Sequence, residues 1–121
     1  GHVIGFINTP TIMTIPIERP NARFRLDDFA PIANVVDDPG CIWVRPASLF
    51  RGVADLVAEA KRRPGTISYG TSGVGSDDHL AMLHLERLTG AKFLHIPFAG
   101  GAPVRTAALS GQIDLGVANV G

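Results

Sequence analysis

At 121 residues, with 45% hydrophobic and 18% charged residues, the chain can bury the core of one domain and is too short for two ordinary ones. Eleven Lys and Arg balance eleven Asp and Glu, so no overall field favours nucleic acid or another polyanion as a partner. A lone cysteine, Cys41, excludes an intrachain disulfide and a Cys-based metal site, and no apolar run approaches the length of a membrane helix.

In chain order, Val3-Ile4-Gly5-Phe6-Ile7 reads as a buried strand that leaves through Asn8-Thr9-Pro10. The chain starts without Met on this apolar run and stops after another strand-like one, and is therefore expected to be a piece of a longer protein. The stretch from Thr11 to Arg25 holds further prolines and no clean period, and is expected to be a linker or an irregular excursion. Ile32-Ala33-Asn34-Val35-Val36 reads as a strand, Asp37-Asp38-Pro39-Gly40 as a turn and residues 41–44 as a second strand. The two strands could form a hairpin or lie apart in one sheet.

From Gly52 the pattern becomes helical. Val53, Leu56, Val57 and Ala60 fall at i, i+3, i+4 and i+7, Asp55 sits in the first turn, and Lys61-Arg62-Arg63 suits the negative end of the dipole before Pro64-Gly65 stops the helix. A strand at 66–69, a Gly/Ser loop and a helix at 77–89 follow, with Gly90 as its left-handed terminator. Next come a strand at 92–96, the loop 97–101, a helix from about Ala102 with Pro103 near its start, and a last strand at 113–117. This alternation predicts an α/β fold with a mainly parallel sheet flanked by helices, and places ligands beyond the carboxyl ends of the strands. Three segments meet that condition: the loops 70–76 and 97–101, and Ala118-Asn119.

The loop Gly70-Thr71-Ser72-Gly73-Val74-Gly75-Ser76 leads from strand to helix, where unpartnered N–H groups and the positive end of the dipole favour an anion. A plain connector with Ser76 as N-cap explains the same residues. The dinucleotide pattern fails because Asp78 stands where a third Gly is needed, no Gly-Lys-Ser/Thr marks a phosphate loop, and a hydrolase elbow fails at Val74. His79 and His84 are five apart, which does not place two metal ligands on one helix face, so no metal or other cofactor is expected. His79 can hydrogen-bond a carboxylate or orient the loop, whereas His84 and His95 are expected to pack or face solvent. Asp77 and Asp78 complement the helix dipole but repel an anion held within a few Å. Either they point away, or the ligand also carries a cationic or hydrogen-bonding group. Phe98 can wall a ligand or join the core, and Trp43 is expected in the core or on a cleft.

Three segments, in this order, resemble the Bug or TctC family, the periplasmic solute-binding proteins of tripartite tricarboxylate transporters. They are Phe29-Ala30-Pro31-Ile32-Ala33, then Pro64-Gly65-Thr66-Ile67-Ser68-Tyr69-Gly70-Thr71-Ser72-Gly73-Val74-Gly75-Ser76 with His79-Leu80, and His95-Ile96-Pro97-Phe98-Ala99-Gly100-Gly101-Ala102-Pro103 followed by Leu109-Ser110-Gly111-Gln112-Ile113-Asp114. The resemblance implies a type II periplasmic-binding-protein fold, with two α/β lobes closing over a small carboxylate that is handed to a membrane permease. Residues 1–30 would be a remnant of the first lobe and a linker, and residues 31–121 the crossing strands and a truncated second lobe. By position, the carboxylate loop of the family falls on Thr71, Ser72, Gly73, Gly75, Ser76 and His79, the next loop on Pro97, Phe98, Ala99 and Gly100, and a first-lobe contact on Asn8 or Thr9. Asp77-Asp78 departs from the small or neutral residues usual there. The expected function is non-catalytic, periplasmic solute binding. The alternatives are an enzyme domain that takes a phosphorylated substrate at the Gly/Ser loop, and an oligomerising module, a dimer pairing through exposed strand edges.

Overall fold

The computed structural model describes residues 2–120. Its elements are helix α1 (Thr11–Glu18), a 3-10 turn (Leu26–Asp28), β1 (Gly40–Trp43), α2 (Val53–Arg62), β2 (Ser68–Thr71), α3 (Asp77–Thr89), β3 (Leu94–Pro97), α4 (Gly101–Leu109) and β4 (Leu115–Asn119). The strands form one mixed sheet in the order β1-β4-β2-β3. β2 runs parallel to both β3 and β4, and β1 closes the sheet antiparallel to β4. The crossover through α3 leads from β2 to β3 on one side, and α4 carries the chain back past β2 to β4 on the other. The carboxyl end of β2 is thus the point where the strand order reverses, the usual place for a ligand in such sheets.

Local chemistry sets the helix ends. Ser76 caps α3 by accepting the His79 N–H on its hydroxyl at 3.3 Å, and Gly90 ends it with φ 75°, a conformation open to glycine. α2 starts beyond Gly52, and the Asp55 carboxylate accepts the Arg51 N–H at 3.1 Å. A reciprocal clamp ties the starts of two central strands: Asp114 accepts both the N–H and the hydroxyl of Ser68, and Ser68 Oγ accepts the Asp114 N–H at 3.0 Å.

The two faces of the sheet are packed differently. On one, Tyr69, Phe93, Leu115 and Val117 meet Leu56 and Ala60 of α2 and Met82 of α3. On the other, Val104, Ala107 and Ala108 of α4 meet Ile113, with Trp43, Ile96 and Phe98 packed around them. Gly70 and Gly116, which pair in the β2–β4 ladder, face this second layer. A methyl on Gly116 would overlap the Trp43 indole, and one on Gly70 would stand 2.6 Å from Ile113 Cδ1 and 2.9 Å from Phe98 Cε2. The close approach of the indole and α4 to the sheet depends on these two missing side chains. Trp43 and Phe98 therefore belong to the packing of this layer.

Four expectations are corrected. Residues 3–7 and 32–36 form no strand: Val3 is 99% exposed and Ile32 81%, because no neighbouring strand in the described chain offers them a ladder. The hairpin pairing 32–36 with β1 therefore does not exist, and β1 pairs with β4 instead. The stretch expected to be irregular contains α1, with Pro10 at its cap and Pro16 inside it. Pro16 lacks the N–H that would have met the Ile12 carbonyl, so it weakens the helix without removing it. The three strands after α2 each begin two residues later than the sequence suggests.

Gly70→Ala should lower stability by roughly 1–3 kcal/mol through overpacking. Gly101→Ala, where an added methyl meets nothing within 4 Å, should change it by less than about 0.5 kcal/mol. Urea unfolding of both variants tests this, and equal effects would refute the packing account.

Candidate functional site

β2 and β3 end side by side, with Thr71 paired to Pro97, so the loops 70–76 and 97–101 leave the same edge of the sheet as neighbours. Phe98 N–H continues the ladder to the Thr71 carbonyl at 3.0 Å. Thr71 is fully buried, and its hydroxyl joins three groups. It lies 2.7 Å from His95 Nε2 and 3.1 Å from the Gly73 carbonyl, and it accepts the Gly73 N–H at 3.3 Å. The single hydroxyl proton goes either to His95 or to Gly73; when it goes to Gly73, His95 Nε2 is the donor. Thr71 beside His95 has the spacing of a nucleophile and its base, but a hydroxyl with no exposure offers a substrate no approach.

The rest of the loop is closed on itself. Ser76 Oγ donates to the Gly73 carbonyl at 2.8 Å, Ser76 N–H reaches the same carbonyl at 3.4 Å, and Gly75 N–H donates to His79 Nδ1 at 3.1 Å. Ser72 directs its hydroxyl to Asp78 Oδ2 at 3.3 Å. The N–H groups of Gly73, Gly75 and Ser76 thus already have acceptors, in Thr71, His79 and Gly73. What the loop shows to solvent is the exposed Ser72 and Val74 and the half-buried Gly73, Ser76 and His79.

His79 orients the loop and also stacks on His95, with ring centroids 4.0 Å apart and planes 11° from parallel. His95 stacks in turn on Tyr69 at 4.9 Å, and Phe93 meets Tyr69 edge-on. Burial, and then the neighbouring His79, hold His95 below the usual imidazole range, so the column is built around a neutral ring. Burial pushes the Tyr69 hydroxyl up to about 12.

Of the residues singled out in the sequence, Thr71, Ser72, Gly73, Gly75, Ser76 and His79 form one hydrogen-bonded loop. Pro97 and Ala99 are exposed beside it, Gly100 is half-buried with φ 109°, and Phe98 packs on α4. Asn8 and Thr9 precede α1, and the contacts from that segment to the loop come from α1 itself. Thr14 Oγ1 donates to the Gly75 carbonyl at 3.1 Å, and the Glu18 carboxylate lies directly against Gly75. Thr14, Glu18 and the role of His95 were missed in the sequence because irregular structure was expected around Pro16 and because a single His on a strand carries no signal of its partner. Among the described residues no group of three or more His, Cys, Asp or Glu side chains is placed to hold a metal ion.

The sequence model of the tripartite tricarboxylate transporter family receptor matches residues 1–121. A UPF0065 protein from the tcbD-tcbE intergenic region of Pseudomonas sp. strain P51 is 28% identical over 99% of this chain and 36% of its own length. The crystal structure of a TctC solute-binding protein from Polaromonas, without ligand, is 37% identical and superimposes with a TM-score of 0.76 over 92% of this chain and 38% of that one. An R. palustris protein solved with adipate is 30% identical, with a TM-score of 0.65 over 69% of this chain and 28% of that one. The chain thus spans between 28% and 38% of the length of these three relatives.

Burial first, and then the Asp77 carboxylate, push the Asp78 carboxyl from 3.8 up to about 6. The folded chain therefore keeps a proton that the unfolded chain has lost. The contribution of Asp78 to stability is greatest below pH 3.8, falls as pH rises, and levels off above about 6. Asp78→Asn should be more stable than the parent at neutral pH by about 1–3 kcal/mol, with the difference closing at acidic pH. Urea titrations across this range check it, and a difference independent of pH would refute it.

Proposed function

Because the chain belongs to the tripartite tricarboxylate transporter receptor family, a family of solute-binding proteins, we propose that it supplies one jaw of a periplasmic receptor that captures a small carboxylate and delivers it to a membrane permease, without catalysing a reaction. On this reading residues 31–121 form the crossing region and the second lobe, and residues 1–30 belong to the first lobe and its linker. Asn8 or Thr9 then contributes from the first-lobe side. The observation that carries the reading is the convergence of the 70–76 and 97–101 loops on the carboxyl edge of β2 and β3, at the reversal of strand order. The R. palustris relative solved with adipate supports a carboxylate as the ligand class.

The internal bonding of the loop selects which groups reach the ligand. With the N–H groups of Gly73, Gly75 and Ser76 occupied, the edge of His79 and the small residues of the 97–101 loop are the available contacts, and the hydroxyls of Ser72 and Ser76 join them by turning from Asp78 Oδ2 and the Gly73 carbonyl, the acceptors they now hold. The dipole of α3 adds a favourable field for an anion at its first turn. Thr71 positions this surface from below, and Gly73, where an added methyl meets nothing within 4 Å, keeps it low enough for close approach, while the space over Gly75 is taken by Glu18.

Calorimetry with adipate and other di- and tricarboxylates, on a receptor of full family length carrying residues 1–121, tests the reading. A Ser72→Ala, Ser76→Ala double variant should lose about tenfold or more in affinity, as expected for hydrogen bonds to a charged group. Unchanged affinity would refute the site assignment, and failure of every carboxylate to bind would refute the ligand class.

A further inference from the structure

α1 meets the 70–76 loop through one face. Thr14 and Glu18 stand one helical turn apart, a spacing that puts two side chains next to each other, and both reach Gly75. Thr14 Oγ1 donates to the Gly75 carbonyl at 3.1 Å, and the Glu18 carboxylate lies directly against the same residue. A methyl on Gly75 would overlap Oε1 and stand 2.8 Å from Oε2. Gly75 is buried beneath this cover, whereas Glu18 itself is exposed.

Nothing in α1 accounts for a carboxylate at this position. Glu18 is the last residue of the helix, where the dipole favours a cation, and its side chain forms no hydrogen bond or ion pair among the described residues. Its surroundings lie across the gap, at the start of α3. Gly75 precedes the N-cap Ser76 and gives its N–H to His79 Nδ1 at 3.1 Å, so Glu18 stands beside two of the groups offered to a ligand. The positive end of α3 amounts to about half a charge, and Asp77 and Asp78 already share it from its own first turn. A ligand carboxylate that enters can use the loop hydroxyls and His79. Each further negative charge on that ligand meets an unpaired carboxylate, and a positive charge meets the same group with the opposite sign of interaction.

We propose that Glu18 is a specificity-determining residue of the carboxylate site, selecting ligands whose single carboxylate is accompanied by an ammonium group and disfavouring di- and tricarboxylates. This assignment rests on the carboxylate reading of the 70–76 loop. Because α1 belongs to the part assigned to the first lobe, the selection is made by the jaw opposite the loop.

The test is calorimetry at neutral pH with adipate and ε-aminohexanoate, which share a chain length and differ in the far end group, and with hexanoate as the uncharged-end control. The proteins are a receptor of full family length carrying residues 1–121 and its Glu18→Gln variant. The parent should bind ε-aminohexanoate about tenfold more tightly than adipate, and this preference should shrink with added salt, as for an exposed charge. Glu18→Gln should remove the preference by strengthening adipate and weakening ε-aminohexanoate, and should leave hexanoate within about twofold. A purely structural role for Glu18 would instead weaken all three ligands together and would overturn the proposal. Tighter or equal binding of adipate by the parent, or a preference that survives Glu18→Gln, would overturn it while leaving the carboxylate site in place. Failure of all three to bind either protein would overturn the carboxylate site and this assignment with it.

Discussion

The hydroxyl of Thr71 is the point on which the candidate site depends. It is buried at the end of the central strand, where β2 has β3 on one side and β4 on the other, and it must find partners locally or cost the fold an unmade hydrogen bond. It finds them in two directions. His95 on β3 ties the ends of the parallel strands together at the level of the side chains, and Gly73 turns the loop back over the strand. A Val at this position would keep the shape and the β-branched fit, and would lose both ties. The stacking of His95 with His79 then carries the constraint from the strand to the first turn of α3, so loop, strand and helix share one hydrogen-bonded and stacked column.

The neutral state of that column matters. Two imidazoles at 4.0 Å cannot both be charged without strong repulsion, and burial already disfavours the charged form of His95. A neutral His79 with Nδ1 accepting from Gly75 holds its proton on Nε2, so the ring can donate outward while fixing the loop inward. The loop is accordingly preorganised rather than open. The N–H groups of Gly73, Gly75 and Ser76 are spent on its own shape, and that shape fixes the positions of its side chains.

Much of this was legible in the sequence. Ser76 as N-cap, the span of α3 and Gly90 as its terminator follow from local rules, because capping chemistry needs only neighbouring residues. The alternation of helices and strands after Gly52 pointed to the parallel core and to the edge where the loops 70–76 and 97–101 meet for the same reason. The errors arise where long-range pairing decides. Val3-Ile4-Gly5-Phe6-Ile7 and Ile32-Ala33-Asn34-Val35-Val36 have strand composition, but a strand exists only with a ladder beside it. Composition records the first condition and is silent on the second. The glycines in the loops attracted notice as places for a ligand, whereas Gly70 and Gly116 inside strands matter through Trp43, Phe98 and Ile113, residues far away in sequence.

The Asp77-Asp78 pair resolves differently from its two sequence alternatives, which treated both residues alike. Asp77 stays half-buried at the helix start, where it complements the dipole, while Asp78 is drawn down beside Gly40 and engages the loop only through Ser72. A charge so placed is more than an obstacle to an anion. The carboxylate is buried, yet its Oδ2 holds the hydroxyl of the exposed Ser72 at 3.3 Å, so the presentation of that side chain depends on the state of Asp78. When the carboxyl is ionised it can only accept from Ser72; when protonated it can also donate, which frees the serine proton for another acceptor. A change in the state of this one carboxylate therefore reaches the exposed face of the loop through a single hydrogen bond to Ser72.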